Sequence, residues 1–548
     1  MTRESILVTS ALAYANGSLH LGHILEYIQT DIWVRFQRMM GRDCRYISGD
    51  DAHGTPIMLA ASKLGITPEQ LIGKYFVSHQ QDAKGFQISF DYYGSTNSED
   101  NRYFTELLYD RLQRKGDILA QEIAQAYDAQ AGMFLPDRFV KGGCPRCKAA
   151  DQYGDNCEHC GATYTPMELI DPRSVLSDTV PECRKSVHYF FQLNNYQQFL
   201  ERWCSGRVGE TLTNKLAEWF RQGLKSWDIS RDAPYFGFAI PGVEDKYFYV
   251  WMDAPIGYIS ITKQMCQHFG LDFEQYWAND QRASARLYHF IGKDIVYFHA
   301  LFWPAVLESG DMRKPDAIYT HGYLTINGQK MSKSRGTFIL ASRYLQYLEP
   351  EYLRYYFAAK LNGGCDDIDL NFDDFVQRNN SDLIGKVVNI ASRCAGFITK
   401  NFAGKLVDSL PSKEAAILQE GIKVSADVAD FYQQRNYSAA VRSIMSLADR
   451  VNRYIDEVKP WNLIKFDAQE KQVQITATLG LNMYRQLAIM LKPILPRIAE
   501  QSEQWFREDQ PWNWQSIDTP RLACVIAPFK PILQRVDPVK LQSMLGND

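Results

Sequence analysis

The chain of 548 residues lacks the features that mark membrane, secreted and disordered proteins. No run approaches the roughly 18 uninterrupted apolar residues that a membrane-spanning helix requires. The first residues offer only a short apolar run beside an acidic side chain, so we expect a strand there and no signal peptide. Internal repeats and low-complexity tracts are missing as well. With 45% hydrophobic and 23% charged residues, the chain is predicted to be a soluble cytoplasmic protein of roughly three or four domains.

The chain also lacks a strong net charge, because 60 basic side chains nearly balance 64 acidic ones and leave −4. This balance argues against a general nucleic-acid binder. It hides an asymmetry, since residues 386–548 carry 21 basic and 17 acidic side chains, a net +4, and the remainder carries −8. A mildly basic C-terminal part is compatible with a local nucleic-acid contact, although chance scatter would give the same pattern.

Cysteine is scattered singly outside one cluster, which excludes a disulfide framework and favours a reducing compartment. The cluster has the spacing Cys144-x2-Cys147-x9-Cys157-x2-Cys160. Two Cys-x-x-Cys turns can bring four thiolates together tetrahedrally, as zinc prefers. Because four protein ligands would leave no open position for a substrate, we predict one structural zinc that folds this segment.

The hydrophobic pattern near the N-terminus predicts alternating strands and helices. An apolar run at 6–8 is followed by a turn, by apolar residues at four-residue spacing from Ile24 to Phe36, and by a strand ending at Asp50-Asp51. The pattern resumes near residue 230, and from about 380 onward the periodicity is helical. This order predicts an α/β fold, a doubly wound Rossmann-type parallel sheet whose ligands bind at the carboxyl ends of its strands.

We expect five parts along the chain. They are the first half of the catalytic Rossmann domain, an inserted connective domain with the zinc knuckle, the second half of the Rossmann domain, a lysine-loop and stem-contact region, and an α-helical bundle, at 1–114, 115–229, 230–325, 326–385 and 386–548.

Two distant motifs carry the strongest chemical signal. His20–His23 (HLGH) opens the first helix, where free N–H groups and the helix dipole favour phosphate. Lys330–Ser334 (KMSKS) follows the last strand, and its two lysines suit a site where charge builds on a leaving pyrophosphate. Alone, the first motif could be an ordinary helix cap and the second a solvated loop. Their order, each after a predicted strand, favours a nucleotide site.

These motifs resemble the two signatures of the class I aminoacyl-tRNA synthetases. The resemblance implies ATP binding, with Mg²⁺, and formation of an aminoacyl-adenylate. It makes His20, His23, Lys330 and Lys333 the catalytic residues. The adenylate would be held by Arg231, for which a surface salt bridge is the alternative role. The ATP contacts that it implies are His20, Gly22, His23, Glu26, Gly292, Asp294, Lys330 and Lys333.

Four further segments, at 11–17, 50–56, 249–258 and 296–299, resemble the methionyl-tRNA synthetase family. The family usually has proline where this chain has Ala13. Methionine needs a partner for its ammonium, which Asp51 can supply, and an apolar, aromatic pocket for its thioether. Tyr258 and His299 could hydrogen-bond the sulfur, whereas any single aromatic here could instead be core. The methionine contacts that the resemblance implies are Leu12, Tyr14, Asp51, Trp251, Ala254, Pro255, Tyr258, Ile295, Phe298 and His299.

In the helical part, Asn389 and Arg393 are four residues apart and so project from one helix face. Trp461 follows Pro460. The resemblance makes these three residues readers of the anticodon, with the indole stacking on a base and the other two bonding base edges. A single tryptophan is more often part of a core, which is the alternative for Trp461.

The resemblance covers essentially the whole chain and implies a complete reaction. The chain would activate L-methionine with ATP, release pyrophosphate, and transfer methionine from the adenylate to the 3′ end of methionine tRNA, including the initiator. The alternatives are a class I synthetase for isoleucine, valine or leucine, a small nucleotidyltransferase, and a tRNA-binding scaffold with an inactive site. The segment 115–229 is too short for the editing domain of the first alternative. We expect a monomer, or a dimer if a C-terminal extension exists.

Overall fold

The computed structural model of the protein describes residues 4–331, 337–530 and 533–545. Part of the second motif, from Ser332 to Ser334 and including Lys333, therefore lies outside the described residues. Within them, no helix is both long enough and apolar enough to cross a membrane.

The N-terminal part alternates strands and helices, as its hydrophobic pattern predicts. Leu7 and Val8 in the first strand are completely buried. The first long helix begins directly after the turn, where the side chain of His20 caps it. The elements of this part are β1 (Ser5–Ser10), β2 (Ala13–Tyr14), α1 (Leu21–Met39), β3 (Asp43–Asp51), α2 (Thr55–Leu64), α3 (Pro68–Gly85), β4 (Tyr92–Ser95) and α4 (Glu99–Lys115).

An inserted segment follows α4. Its elements are β5 (Ile118–Asp128), β6 (Met133–Phe134), β7 (Val140–Gly143), β8 (Gln152–Tyr153), β9 (Ile170–Ser174), β10 (Glu182–Phe191), α5 (Gln197–Cys204), α6 (Glu210–Gln222), β11 (Trp227–Asp228) and β12 (Ser230–Asp232). The long strands β5 and β10 pair antiparallel over ten residue pairs. Local sequence gives little sign of this pair, because β5 is largely exposed and its polarity does not alternate clearly.

The chain then returns to the sheet domain with elements of which two strands, Arg286–Gly292 and Ala317–His321, join a six-stranded parallel sheet. They are β13 (Lys246–Phe248), α7 (Val250–Asp253), α8 (Gly257–Phe269), α9 (Glu274–Trp277), β14 (Arg286–Gly292), α10 (Trp303–Ser309), β15 (Ala317–His321), β16 (Leu324–Ile326), β17 (Gln329–Lys330), α11 (Ala341–Tyr347), α12 (Pro350–Lys360) and β18 (Ile368–Leu370).

The sheet order is β15-β14-β1-β3-β2, with β4 also paired to β3, and every pairing is parallel. The predicted doubly wound parallel sheet is therefore confirmed. Because β1 lies between β14 and β3, the strand order reverses beside it. Such a reversal opens a crevice at the carboxyl ends of the strands.

The remaining chain is helical, as predicted. It comprises α13 (Phe372–Gln377), α14 (Asn389–Asn401), α15 (Ser412–Gln433), α16 (Tyr437–Val458), α17 (Pro460–Leu463), α18 (Glu470–Leu491), α19 (Pro496–Phe506) and α20 (Pro538–Leu545). A π-helical stretch at Arg378–Val388 joins α13 to α14. The long helix α18 is buried over most of its length and forms the centre of this bundle.

Helix α1 differs from its predicted amphipathic character. Its spacing predicts one buried face, yet fifteen of its nineteen residues are buried, several of them polar. The helical bundle covers the second face, since Phe36 stacks on Tyr432 and the Tyr437 hydroxyl donates to the Gln29 carbonyl at 3.0 Å. Buried Asp31 accepts from the Arg354 guanidinium at 2.6 Å. Helix α1 thus links the bundle to the phosphate-binding end predicted at His20.

Candidate active site and metal centre

A cavity of about 1510 Å³ opens at the carboxyl edge of the parallel sheet. Phe298 does not line it but stacks on Trp251 with ring centroids 3.5 Å apart, and so supports that ring. Lys333 lies outside the described residues. The predicted contacts that do line the cavity are Leu12, Tyr14, His20, Gly22, His23, Glu26, Asp51, Arg231, Trp251, Ala254, Pro255, Tyr258, Gly292, Asp294, Ile295, His299 and Lys330.

His20 and His23 form a reciprocal cap at the start of α1. The His20 Nδ1 accepts from the Gly22 N–H at 3.1 Å, and the His23 Nδ1 accepts from the His20 N–H at 3.2 Å. Their rings stack 3.8 Å apart. Burial, and secondarily the neighbouring His20, holds the pKa of His23 well below its usual value, so the ring is neutral. Because Nδ1 accepts, the proton of His23 resides on Nε2, where it can serve as a donor.

Gly22 allows the two motifs to approach each other. A Cβ at this position would lie 2.9 Å from the His20 ring and 2.9 Å from the Met331 methyl group. Real Cβ contacts are longer than that, so a side chain at this position would displace the His20 ring or the end of the Met331 side chain. The structure thereby brings Lys330 and Met331 to the cavity that His20 lines.

Asp51, a half-buried residue at the end of β3, has one carboxyl oxygen that is buried and unsatisfied. Among the described residues, its Oδ1 has no hydrogen-bond partner. Burial raises the pKa of Asp51 well above its ordinary value, and nearby Asp253 raises it further. A bound cation would relieve both effects, since it would return the carboxylate to its ionised form. The site therefore fits the ammonium group predicted to bind there.

Tyr258 and His299 bond to each other within the predicted methionine pocket. The His299 Nδ1 donates to the Ile295 carbonyl at 3.1 Å, so its Nε2 accepts from the Tyr258 hydroxyl at 2.8 Å. Burial lowers the pKa of His299 to about 4, which keeps the ring neutral, and the Ile295 carbonyl fixes this tautomer. The Tyr258 proton is thus directed to His299. The hydrogen bonds that the sequence predicts from Tyr258 and His299 to the sulfur stay predictions.

His321, at the end of β15, is a site residue that the sequence patterns did not single out. Its Nδ1 donates to the Gly322 carbonyl at 2.7 Å, and its Nε2 lies 3.4 Å from the Glu26 carboxylate. Burial alone would lower the pKa of His321, but the hydrogen bond to Glu26 raises it. Glu26 also accepts from the Ala11 N–H at 2.6 Å. The position of His321 at the carboxyl end of a predicted strand was the signal that could have identified it.

Arg231 reaches the cavity from β12. Its guanidinium lies 3.7 Å over the ring of Tyr249, and its Nη1 donates to Asp228 at 3.0 Å. The salt bridge offered as the alternative role for Arg231 is therefore present. Because Arg231 also lines the cavity, the salt bridge and an adenylate contact are compatible.

The four clustered cysteines form a centre that fits a tetrahedral metal. Their sulfur atoms all lie within 4.8 Å of one another, with separations of 3.8 Å for Cys144–Cys160 and 3.5 Å for Cys147–Cys157. A zinc–sulfur bond of about 2.3 Å implies sulfur separations of about 3.8 Å. The Cys144 sulfur accepts two backbone N–H groups at 3.4 Å, which favour a thiolate. None of the four cysteines is among the residues that line the cavity, as a structural centre requires.

Two of the three predicted anticodon residues, Arg393 and Trp461, are in contact on the helical bundle. Asn389 begins α14, and Arg393 lies one turn later. The Arg393 guanidinium is 4.8 Å from the Trp461 ring centroid and donates to Asp456 at 2.7 Å. The Trp461 side chain is 37% exposed, so it is not part of the core. The cation–π contact with Arg393 leaves 37% of the side chain exposed, as stacking on a base requires.

Two family models match successive parts of the chain. The family model of class I tRNA synthetases (M) matches residues 6–395, and the model of the anticodon-binding domain of methionyl tRNA ligase matches residues 407–528.

Solved structures share the fold over nearly the whole length. Two are Mycobacterium tuberculosis methionyl-tRNA synthetase with methionyl-adenylate, each 24% identical, with TM-scores of 0.79 and 0.80. Each match covers 96% of this chain. It covers 100% of the chain of the first structure and 99% of the chain of the second. The apo form from the same organism is 22% identical, with a TM-score of 0.73, and covers 98% of this chain and 99% of its own. The two family models together show that the chain belongs to the methionyl-tRNA synthetase family of class I tRNA synthetases, which are ligases.

Proposed function

We propose that the cavity at the sheet edge catalyses both steps of methionine–tRNA ligation. In the first step, a carboxylate oxygen of L-methionine attacks the α-phosphorus of ATP, and the bond to pyrophosphate breaks. In the second step, a ribose hydroxyl at the 3′ end of methionine tRNA attacks the carbonyl of methionyl-adenylate, and AMP leaves. The observation that carries the proposal is that the cap formed by His20 and His23 and the unsatisfied carboxyl of Asp51 face one cavity.

The proposed phosphate-binding groups are His20, His23, Lys330 and Lys333. The two neutral imidazoles donate to phosphate oxygens from one end of α1, and the lysines balance the charge that develops on pyrophosphate. Gly22 lets the nucleotide approach the helix N-terminus closely. Glu26, Gly292 and Asp294 line the part of the cavity between β14 and α1, where we place the adenosine. Arg231 holds the adenylate phosphate.

The proposed methionine site combines one charge with an apolar pocket. Asp51 binds the ammonium and so fixes where the attacking carboxylate lies, which is worth orders of magnitude in rate. Trp251, braced by Phe298, and Tyr258, braced by His299, form the aromatic walls around the thioether. The remaining wall residues are Leu12, Tyr14, Ala254, Pro255 and Ile295.

We propose Zn²⁺ as the occupant of the four-cysteine centre, because four thiolates at tetrahedral separations suit zinc. Bound there, it supplies folding energy to the insertion and takes no part in the reaction. Mg²⁺ enters with ATP. We propose the cytoplasm as the compartment, because cysteines that are scattered singly outside one four-thiol cluster are typical of a reducing environment.

The proposed division of labour follows the ranges expected from the sequence. Catalysis belongs to 1–114 and 230–325, the insertion to 115–229, stem contact to 326–385 and anticodon binding to 386–548. In the last range, Trp461 stacks on an anticodon base, and Asn389 and Arg393 bond base edges. The family-model boundaries support a catalytic part followed by an anticodon-binding part.

One assay tests the proposal as a whole. ATP–pyrophosphate exchange is measured with methionine, isoleucine, valine and leucine in turn, and aminoacylation is measured with methionine tRNA. We expect exchange with methionine alone, without tRNA, and charging of methionine tRNA. Exchange driven by a branched amino acid would contradict the proposed specificity, and exchange without any tRNA charging would contradict the second step.

A further inference from the structure

A buried histidine of the insertion bridges two acidic residues beside the active-site cavity. His188 lies on β10 and is 1% exposed. Its Nδ1 is 2.7 Å from Asp228 Oδ2, and its Nε2 is 2.8 Å from Asp232 Oδ2. Both carboxyls line the cavity, although the histidine itself does not. None of these three residues was singled out for a role by the sequence patterns.

The two carboxylates favour an imidazole that carries both protons, because carboxylate oxygens only accept hydrogen bonds and each ring nitrogen can donate to one of them. The side-chain amide nitrogen of Gln125 also lies against Nε2. Burial alone would lower the pKa of His188, but the hydrogen bonds to Asp228 and Asp232 raise it. The charged and polar groups that face this cluster are Gln125 on β5, Ser186 on β10, Asp228 on β11, Arg231 and Asp232 on β12, and Lys246 on β13.

The bridge reaches Arg231 through one shared oxygen atom. Asp228 Oδ2 accepts from His188 Nδ1 and also from Arg231 Nη1 at 3.0 Å. The other Asp228 oxygen accepts from the N–H and hydroxyl of Ser230, each at 3.0 Å. Asp228 thus has hydrogen-bond partners on both oxygens, and the Arg231 guanidinium lies over the Tyr249 ring, 3.7 Å from its centroid. These contacts fix the direction in which Arg231 presents its charge to the cavity.

We infer that His188 is a positioning residue for methionine activation, which orients Arg231 through Asp228. This inference rests on the adenylate-binding role proposed for Arg231. Without His188, Asp228 keeps Ser230 but loses the partner of its other oxygen and is repelled by Asp232, so the oxygen that Arg231 contacts is held less firmly. The phosphate-binding charge is then present but misplaced, and misplacement of about 1 Å costs roughly a hundredfold in rate.

Two substitutions separate the two sides of the bridge. Asparagine places its amide nitrogen near the imidazole Nδ1, whereas glutamine places it near Nε2. His188→Asn therefore retains the bond to Asp228, and His188→Gln retains only the bond to Asp232. We expect His188→Gln to lower kcat/KM for ATP in pyrophosphate exchange by about 10- to 100-fold. His188→Asn should stay within about fivefold of the unmodified enzyme.

A double-mutant cycle identifies the route. If His188 acts through Arg231, then His188→Gln added to Arg231→Ala should lower exchange no further than Arg231→Ala alone. The melting temperature of each variant is measured alongside. A purely structural role of His188 predicts that the losses multiply, that the Asn and Gln variants are equally impaired, and that both losses follow the melting temperature. Any of these results would overturn the inference and leave the role of Arg231 standing.

The proposed role of Arg231 has a separate outcome. Normal exchange by Arg231→Ala would refute that role and the inference together. If His188→Gln does not fold, Asp228→Asn provides the same test, because it keeps the size of the side chain and removes the charge shared between His188 and Arg231. It should lower exchange by about 10- to 100-fold and show the same lack of additivity with Arg231→Ala. Full additivity would reject the coupling.

Discussion

Replacing Trp461 with alanine separates tRNA recognition from methionine activation. The indole is 37% exposed. The Arg393 guanidinium lies 4.8 Å from the centroid of its ring, in a cation–π contact. Loss of an exposed cation–π contact should destabilise the protein by only about 0.5–1 kcal/mol, whereas a buried tryptophan would cost about 3–5 kcal/mol. Loss of base stacking should cost about 1–3 kcal/mol of tRNA binding. We therefore expect kcat/KM for tRNA to fall by roughly 5- to 150-fold.

The assay measures aminoacylation, pyrophosphate exchange without tRNA, and the melting temperature on the same preparation. Exchange should remain close to normal, because Trp461 lies on the helical bundle and does not line the cavity. Phe466→Ala is a matched control, since this aromatic side chain is 63% exposed and only five residues away, and it should charge tRNA normally. Normal charging by Trp461→Ala would refute the stacking role, and a parallel loss of both activities with melting temperature would restore the core alternative.

Four further predictions concern the catalytic part and the metal centre. Asp51→Asn should lower kcat/KM for methionine by about 10- to 100-fold, because a charged hydrogen bond to the ammonium is lost; an unchanged value would refute the contact. Since the ammonium pairs with ionised Asp51, methionine affinity should also fall as the pH is lowered through its raised pKa, at a higher pH than for an ordinary aspartate. Metal analysis should find about one zinc per chain, and Cys157→Ser should unfold the insertion before exchange declines, whereas a metal-free, fully stable enzyme would contradict a zinc site. Lys333→Ala should lower adenylate formation by about 10²–10³ and leave methionine affinity nearly unchanged, and a near-normal kcat in exchange would reject its role.

Some features of the site could be predicted from sequence because their chemistry is local. The cysteine spacing brings four sulfur atoms within 4.8 Å of one another through two short turns. The HLGH motif caps its own helix with contacts no more than three residues apart. Asp51 follows a buried strand, and the strands of a parallel sheet all present their carboxyl ends at one edge, so its place at the cavity follows from its place in the strand.

Other features depend on contacts that no local pattern encodes. The hydrophobic period of α1 reports one buried face, but whether a second face is covered depends on where Tyr432 and Tyr437 fold, some four hundred residues later. Likewise, the sequence offers Tyr258 and His299 as two donors to a sulfur. Their separation of 2.8 Å makes them partners of each other, and burial and the Ile295 carbonyl together fix which of them holds the proton.

The protonation of the site was decided by tertiary structure for the same reason. His321 is hydrogen-bonded to Glu26, which is 295 residues away in the sequence. His188 is hydrogen-bonded to Asp228 and Asp232, which are 40 and 44 residues away. Sequence determined which residue types were available, the fold class and the order of the motifs. Only the packing of the insertion against the sheet and of the strands side by side decided which charges meet, because a hydrogen bond needs its partners within about 3 Å, whatever their separation along the chain.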